Sequence, residues 1–140
     1  LGERRQAWTV LLTGERLAPQ NPSVALAQGR WHMDQRNYRE AISSFDRTIA
    51  LQPNLPNAYA LRGLAWEKLG QWEPASRDFT RVAQLIPWSG RPYLSLAAAR
   101  RRMGDAAGER AALEAGKAKA ITERDQIQAR LDALSGAGAP

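Results

Sequence analysis

The feature that most constrains the fold of this chain is an internal repeat with a period of 34 residues. Residues 38–53 align with residues 72–87 without a gap. The matched pairs are small, aromatic, aliphatic or proline positions: Ala41 with Ala75, Phe45 with Phe79, Leu51 with Leu85, and Pro53 with Pro87. A fixed period of this length is the signature of stacked supersecondary units, each of which buries its apolar face against a neighbour.

Each repeat is predicted to be a pair of α-helices. In the second unit Tyr59, Gly63 and Trp66 recur at spacings of four and three, which places them on one helix face. Gly70 is of a residue type that ends helices, and Pro87 stops the helix that follows. Helices this short are marginal in isolation, so stability must come from packing hairpin against hairpin.

The succession of small, aromatic, glycine and proline positions over residues 22–87 resembles the tetratricopeptide repeat. The resemblance implies an all-α fold, a right-handed superhelix (α-solenoid) of stacked antiparallel helical hairpins with a C-terminal capping helix. The predicted organisation is the second helix of a truncated upstream repeat (1–19), two full repeats (22–55 and 56–89), a degenerate repeat with a long capping helix (90–134), and a flexible tail (135–140).

The third unit departs from the repeat pattern in its second half. Tyr93, Ala97 and Gly104 continue the pattern of the second unit. Glu109 then stands where the family has a small residue, and Leu113 stands where it has phenylalanine. The second helix of this unit is therefore expected to serve another purpose.

Residues 106–134 are predicted to form that element, one long charged helix with weak points at Gly108 and Gly116. A terminal helix with a polar outer face is what a solenoid needs to cover its last hairpin. A short coiled coil with another chain is the alternative, because apolar residues recur every seven positions: Leu113, Ala120, Ile127 and Leu134.

The opening segment "LGERRQA" falls in register with "LGQWEPA" at residues 69–75. We therefore expect the chain to begin at the turn in the middle of an earlier repeat and to be cut from a longer protein. The exposed face of residues 5–17 would then lack its usual neighbour. Pairing of that face with another copy of the chain is one expected route to a homo-oligomer.

The residues offer little material for catalysis. The chain has no cysteine and one histidine, His32, which occupies a packing position. Trp31 is expected to fill the space that His32 leaves, although presentation to a partner is the alternative. Trp88, in the loop after Pro87, is the better candidate for an exposed aromatic, but it too is expected to pack against the following helix. No metal-ligand cluster or phosphate-binding loop is evident, so we predict a non-enzymatic protein with no cofactor and no small-molecule substrate.

The net charge of +6 raises the question of an anionic partner. The charge is dispersed, and the one tight basic run is Arg100–Arg102. This distribution argues against nucleic acid and against an anionic membrane as the partner. No signal-peptide pattern or membrane-spanning run occurs within these residues, so the localisation of the protein stays open. The arginine- and alanine-rich composition suggests a bacterial source.

The resemblance implies that the first helix of each unit lines a concave groove for a peptide or a partner helix. Asn57 is the only asparagine at the family's groove positions, so the lysine–asparagine clamp that some members use for a C-terminal carboxylate is not expected. Leucines and arginines predict instead an amphipathic or acidic segment. The predicted groove residues are Leu26, Arg30, Met33, Asn57, Leu61, Leu64, Lys68, Arg91, Leu94, Arg101 and Arg102.

The sequence therefore predicts a non-enzymatic scaffold that binds a peptide or helix of a partner protein and acts in the assembly of a multiprotein complex. The alternative is a regulatory or targeting module of a larger multidomain enzyme. Nucleic-acid or anionic-membrane binding is the third hypothesis.

Overall fold

A computed structural model describes residues 2–136 of the chain. This range folds into eight α-helices and contains no β-strand: α1 (Gly2–Leu17), α2 (Pro22–Asp34), α3 (Tyr38–Leu51), α4 (Pro56–Lys68), α5 (Trp72–Leu85), α6 (Arg91–Arg102), α7 (Ala106–Lys119) and α8 (Arg124–Ser135). Helices α2 and α3, α4 and α5, and α6 and α7 form hairpins, and each hairpin packs on the next. The molecule is an all-α solenoid, which confirms the predicted fold class.

Proline and glycine define the ends of the paired helices. Pro22 and Pro56 open α2 and α4, and Pro92 is the second residue of α6. A missing N–H costs little at these positions. Gly70 and Gly104 follow α4 and α6 with φ angles of +71° and +75°, a left-handed conformation that glycine adopts without a Cβ clash.

Small residues let the paired helices approach closely. A Cβ on Gly63 would lie 2.8 Å from a ring atom of Phe79, and Ala75 is fully buried. In the preceding unit Phe45 lies in the same way against Gly29. The close approach predicted from the repeated small and aromatic positions is therefore present.

Residues 106–134 do not form one long helix, and this prediction is wrong. The segment 120–123 separates α7 from α8 and docks on the loop between α5 and α6. The Ile121 amide donates to the carbonyl oxygen of Trp88 at 2.7 Å. The Gly90 amide donates to two side chains of the same segment at 2.9 and 3.1 Å. These tertiary hydrogen bonds replace the helical ones that the segment gives up.

The predicted weak points of that helix, Gly108 and Gly116, both lie within α7 and do not interrupt it. The Gly108 amide donates to Oδ1 of Asp105 at 2.8 Å, which caps the helix. Gly116 lies where α6 and α8 approach α7: a Cβ there would be 2.8 Å from Tyr93 and 3.0 Å from Ile127. Both glycines thus serve the packing of the helix.

Helix α8 folds back along α7 and caps the end of the solenoid. The heptad positions are buried or partly buried in one core cluster within the chain: Leu113, Ala120, Ile127 and Leu134. Tyr93 and Leu131 belong to the same cluster. This apolar stripe is used internally and is not available for a coiled coil with another chain.

Glu109, which departs from the repeat pattern, is 3% exposed and has a partner in α8. Arg130 donates to Glu109 Oε1 from Nε at 2.8 Å and from Nη2 at 2.6 Å. A buried carboxylate is tolerated only when it is paired and hydrogen-bonded. The capping helix therefore supplies the charge that makes a glutamate acceptable where the family has a small residue.

Helix α1 docks on the opposite end through an aromatic cluster and a carboxylate. Trp8 stacks on Trp31 with ring centroids 4.3 Å apart, and His32 meets the two rings edge-on at 5.1 and 5.2 Å. Glu15 forms an ion pair with Arg47 of α3. Trp31 therefore packs within the chain against α1, and its occupation of the space that His32 leaves stays a prediction.

The two extremities are only partly described. Gly2 is the first residue of α1, and Leu1 of the predicted turn lies outside the described residues. Ser135, the first residue of the predicted flexible tail, is the last residue of α8. Gly136 follows with a φ of +67°, and residues 137–140 lie outside the described range.

Candidate functional site

The residues predicted to line the groove all lie on the first helices of the hairpins, α2, α4 and α6. None of them is buried. The half-buried members are Leu26, Met33, Leu61 and Leu94, and the exposed members are Arg30, Asn57, Leu64, Lys68, Arg91, Arg101 and Arg102. The predicted surface is therefore accessible to a partner.

An apolar pocket lies between α4, α5 and α6 and has a volume of about 290 Å³. Three predicted residues line it: Asn57, Leu64 and Arg91. Its other walls come from Ala60 and Ser95 on the first helices, from Phe79 and Val82 on α5, and from Ile86, which follows α5. We call this cavity the apolar pocket. Its lining suits an aliphatic or aromatic side chain.

A basic pocket lies further along the same two helices. It is lined by Glu67 and Lys68 of α4, by Trp72 of α5, and by Ala98, Arg101 and Arg102 of α6. The Arg102 guanidinium carbon lies 5.4 Å from the centroid of the Trp72 ring, within cation–π range. Three predicted cations, Lys68, Arg101 and Arg102, are thus brought together.

A third cavity involves the capping helix. Leu94 and Arg101 of α6 line it together with Glu109 of α7 and with Gln126 and Arg130 of α8. Sequence reasoning missed the contribution of α8, because residues 106–134 were expected to form a single helix. Helix α6, the first helix of the last hairpin, therefore shares this cavity with α8.

The remaining predicted residues do not join these cavities. Leu26, Arg30, Met33 and Leu61 line none of the three. The side chains that close the floor of the apolar pocket, such as Phe79 and Ile86, were missed because the family's groove positions lie on first helices alone. The pattern of buried aromatic positions on α5 is the signal that could have indicated them.

The predicted cations of α4 and α6 differ from the arginines that hold the fold together. Arg62 of α4 donates to Asp78 Oδ2 from Nε at 2.9 Å and to Oδ1 from Nη2 at 2.7 Å. These hydrogen bonds raise the pKa of Arg62, which stays charged. By contrast, Lys68, Arg101 and Arg102 form no ion pair with any of the described residues.

One carboxylate of the basic pocket, Glu67, is half-buried. Burial raises its pKa, and the positive charges of Lys68 and Arg102 oppose that effect. With three cations around a single carboxylate, the pocket retains an excess of positive charge. Such a surface favours a partner that brings carboxylates of its own.

The only histidine belongs to the packing of α1. Nδ1 of His32 is buried and has no hydrogen-bond partner among the described residues. Burial lowers the pKa of this imidazole, and the negative charge of Glu40 opposes the shift. His32 is therefore predominantly neutral at pH 7.

Within residues 2–136 no group of three or more histidine, aspartate or glutamate side chains could hold a metal ion. In the same range, no helix combines the length and the apolar character needed to cross a membrane.

Trp88, expected to pack against the following helix, is 55% exposed, so that expectation is wrong.

The comparison of the sequence with known families decides the assignment. Residues 28–102, more than half of the chain, match the tetratricopeptide repeat. The chain belongs to the tetratricopeptide repeat family. The matched range begins within α2 and ends at the last residue of α6, and it includes α4, α5 and α6, the helices that carry the apolar and basic pockets.

A curated relative shares part of this sequence. The small glutamine-rich tetratricopeptide repeat-containing protein 2 of Mycosarcoma maydis is 30% identical over 70 residues, which is half of this chain. The match spans 20% of the length of that relative.

Solved structures share the fold. MamA from Desulfovibrio magneticus RS-1 superimposes with a TM-score of 0.79 at 20% identity, over 97% of this chain and 76% of that one. The first tetratricopeptide repeat domain of Spaghetti (RPAP3), solved with the HSP90 peptide SRMEEVD, gives a TM-score of 0.69 at 20% identity, over 84% and 93% of the two chains. At these identities the likeness shows the fold alone.

Proposed function

We propose that this chain is a non-enzymatic protein–protein interaction scaffold that binds a peptide or helix of a partner protein along the first helices of its hairpins. In this role it would act in the assembly of a multiprotein complex. One observation carries the proposal: α4 and α6 present an apolar pocket and a basic pocket to solvent, side by side. Concave, apolar cavities with a few convergent polar groups are the usual form of a binding site.

The chemistry of the two pockets supports an amphipathic or acidic partner segment. An aliphatic side chain buried in the apolar pocket contributes about 1.5–3 kcal/mol by the hydrophobic effect. The guanidinium groups of Arg101 and Arg102 donate in a geometry that matches carboxylates. Leu64, at 39% exposure, lies at the apolar pocket and is available for contact.

The relatives support peptide binding while leaving the partner open. The Spaghetti domain was solved with an HSP90 peptide, so the same fold accommodates a peptide. In this chain Leu26, Ala60 and Leu64 occupy groove positions, and Asn57 is the only asparagine among them. We therefore propose a partner other than a chaperone tail held by a lysine–asparagine clamp.

A pull-down tests this proposal. The variant that combines Leu64→Glu, Arg91→Glu and Arg101→Glu should lose the partner that the unaltered chain captures, because it blocks the apolar pocket and reverses the charge. Circular dichroism should show unchanged helicity, since all three side chains are exposed.

A matched control carries the same types of substitution away from these pockets: Leu12→Glu, Arg39→Glu and Arg77→Glu, also at exposed positions. It should retain the partner. Capture that survives in the Leu64, Arg91 and Arg101 variant, with full helicity, would show that binding occurs elsewhere.

A further inference from the structure

The apolar pocket and the basic pocket lie on the same pair of helices, in the same order along both. On α4 the apolar pocket is lined by Asn57, Ala60 and Leu64, and the basic pocket by Glu67 and Lys68. On α6 the apolar pocket is lined by Arg91, Pro92 and Ser95, and the basic pocket by Ala98, Arg101 and Arg102. The two pockets therefore succeed one another along a single track.

The helical rise gives the distance between them. The centres of the two sets of lining residues are separated by about seven to eight residues on each helix, which corresponds to about 11–12 Å at about 1.5 Å per residue. An extended peptide advances about 3.3 Å per residue, so three or four of its residues cover the same distance. Both helices that line the two pockets give the same spacing.

The charges at the basic pocket define which groups a bound peptide must carry at the end that reaches this pocket. Lys68, Arg101 and Arg102 form no ion pair with the described residues, although arginines elsewhere in the chain do. Trp72 holds the Arg102 side chain beside the pocket through a cation–π contact. The carboxylate of Glu67 offsets one of the three positive charges, and the other two have no counter-charge in the pocket.

We infer that this track recognises an extended acidic segment of a partner protein, in which an apolar side chain and a pair of carboxylates are three to four residues apart. The apolar side chain occupies the apolar pocket, and the carboxylates meet Arg101, Arg102 and Lys68. The inference rests on the proposed function and deepens it, because it specifies which segments the scaffold accepts.

A set of synthetic peptides tests the spacing. Serine-rich peptides carry one Leu and a Glu-Glu pair placed one to eight positions away, on either side, and binding to the full chain is measured by fluorescence anisotropy. Affinity should be highest at three or four positions and roughly threefold to tenfold weaker at one and at seven, since only the matched spacing engages both pockets. An optimum at seven would indicate a helical ligand and overturn the inference, as would no binding at any spacing.

Two double variants test the charges. Arg101→Gln with Arg102→Gln should weaken binding of the best peptide by roughly threefold to tenfold and remove the spacing preference. The same variant should bind the Leu-Gln-Gln version of that peptide as the unaltered chain does. Arg39→Gln with Arg77→Gln, at exposed positions outside the two pockets, should leave every affinity unchanged.

Leu64→Glu separates this inference from the proposed function. One outcome is that Leu64→Glu abolishes the binding of peptides whose affinity depends neither on the Glu-Glu pair nor on its distance from Leu. In that case the spacing rule is wrong and the proposed groove stands. If Leu64→Glu has no effect on a peptide that binds, the proposed groove is wrong as well. Thermal melting of each variant verifies that loss of binding does not come from loss of fold.

Discussion

The two ends of the solenoid are closed in different ways. At the C-terminal end α8 buries Ile127 and Leu131 in the core and pairs Arg130 with the buried Glu109. At the N-terminal end α1 has no buried residue and docks through the half-buried ring of Trp8 and the ion pair of Glu15. The C-terminal end thus has the features of a built cap, whereas the N-terminal end has those of a loosely attached helix.

The difference shows that helix formation and helix docking are separate properties. Both end helices are well formed, at Gly2–Leu17 and Arg124–Ser135. Helix α8 is joined to the body by a buried core and by the hydrogen bonds of segment 120–123, whereas the segment after α1 is held by Arg47, which donates to the carbonyl oxygen of Pro19 at 2.9 Å. Because local stability follows buried apolar contacts, α1 should open far more easily than α8.

The largest expected effect comes from the core of the cap. Ile127→Ala removes a fully buried side chain and should lower the free energy of unfolding by about 2–5 kcal/mol. The matched change at the other end, Leu11→Ala, truncates a half-buried side chain and should cost about 1 kcal/mol. Urea denaturation measures both, and equal losses would remove the distinction between the two ends.

The next largest difference in stability is expected between substitutions of Glu109 and Glu15, the carboxylates at the two ends of the solenoid. Glu109→Gln replaces the partner of Arg130 at a buried position and should cost about 1–3 kcal/mol. Glu15→Gln acts on a pair whose two side chains are about one-third exposed, and about 0–1 kcal/mol is expected. Thermal melts at equal salt compare them. A larger loss for Glu15→Gln would contradict the account.

Acidification should loosen α1 in a defined window. Burial lowers the pKa of His32 in the folded chain below its usual 6.5, so the folded state favours the neutral ring. This contribution to stability is intact above pH 6.5 and decreases as the pH falls below that value. The protection factors of the α1 amides, which compare the observed exchange rate with the intrinsic rate at the same pH, should therefore fall between pH 7 and pH 5, and His32→Phe should flatten the response.

Glu15 provides the control for that window. Hydrogen bonds from Gln28 and Arg47 lower its pKa below the usual 4.5, so its contribution is present above pH 4.5 and is lost only below it. Glu15→Gln should leave the change between pH 7 and pH 5 intact. Protection factors of the α1 amides that stay constant over this range would rule out His32 as the cause.

The smallest effect concerns the turns. Arg36 has a φ of +61°, whereas glycines occupy the corresponding turns after α4 and α6. A non-glycine residue in this conformation is strained, so Arg36→Gly should stabilise the chain by about 1 kcal/mol or less. Gly70→Ala should have the opposite sign. Destabilisation by Arg36→Gly in urea titrations would show that the Arg36 side chain makes a contribution of its own.

The period of the sequence was sufficient to predict the fold because its signals are local. Glycine, proline and aromatic positions such as Gly63, Phe79 and Pro87 determine where helices end and approach. The break at residues 120–123 carries neither glycine nor proline. It arises from hydrogen bonds to the backbone of Trp88, which is distant in sequence, so no local pattern could indicate it.

The candidate site shows the same limit. Repeat positions placed Leu64, Arg91 and Arg101 on the exposed side of the first helices. Which of these side chains share a cavity depends on how α5 and α8 close the space behind and beside them. Residues of α2 such as Arg30 satisfy the pattern equally well but line neither pocket, because pocket formation is a property of the assembled hairpins.

Amide hydrogen exchange with and without the best-binding Leu and Glu-Glu peptide tests whether α4 and α6 together form the binding surface. Binding should add protection at residues 57–68 and 91–102 and none on α1. Protection confined to α1, or to the exposed surface at Trp88 and Ile121, would contradict this expectation.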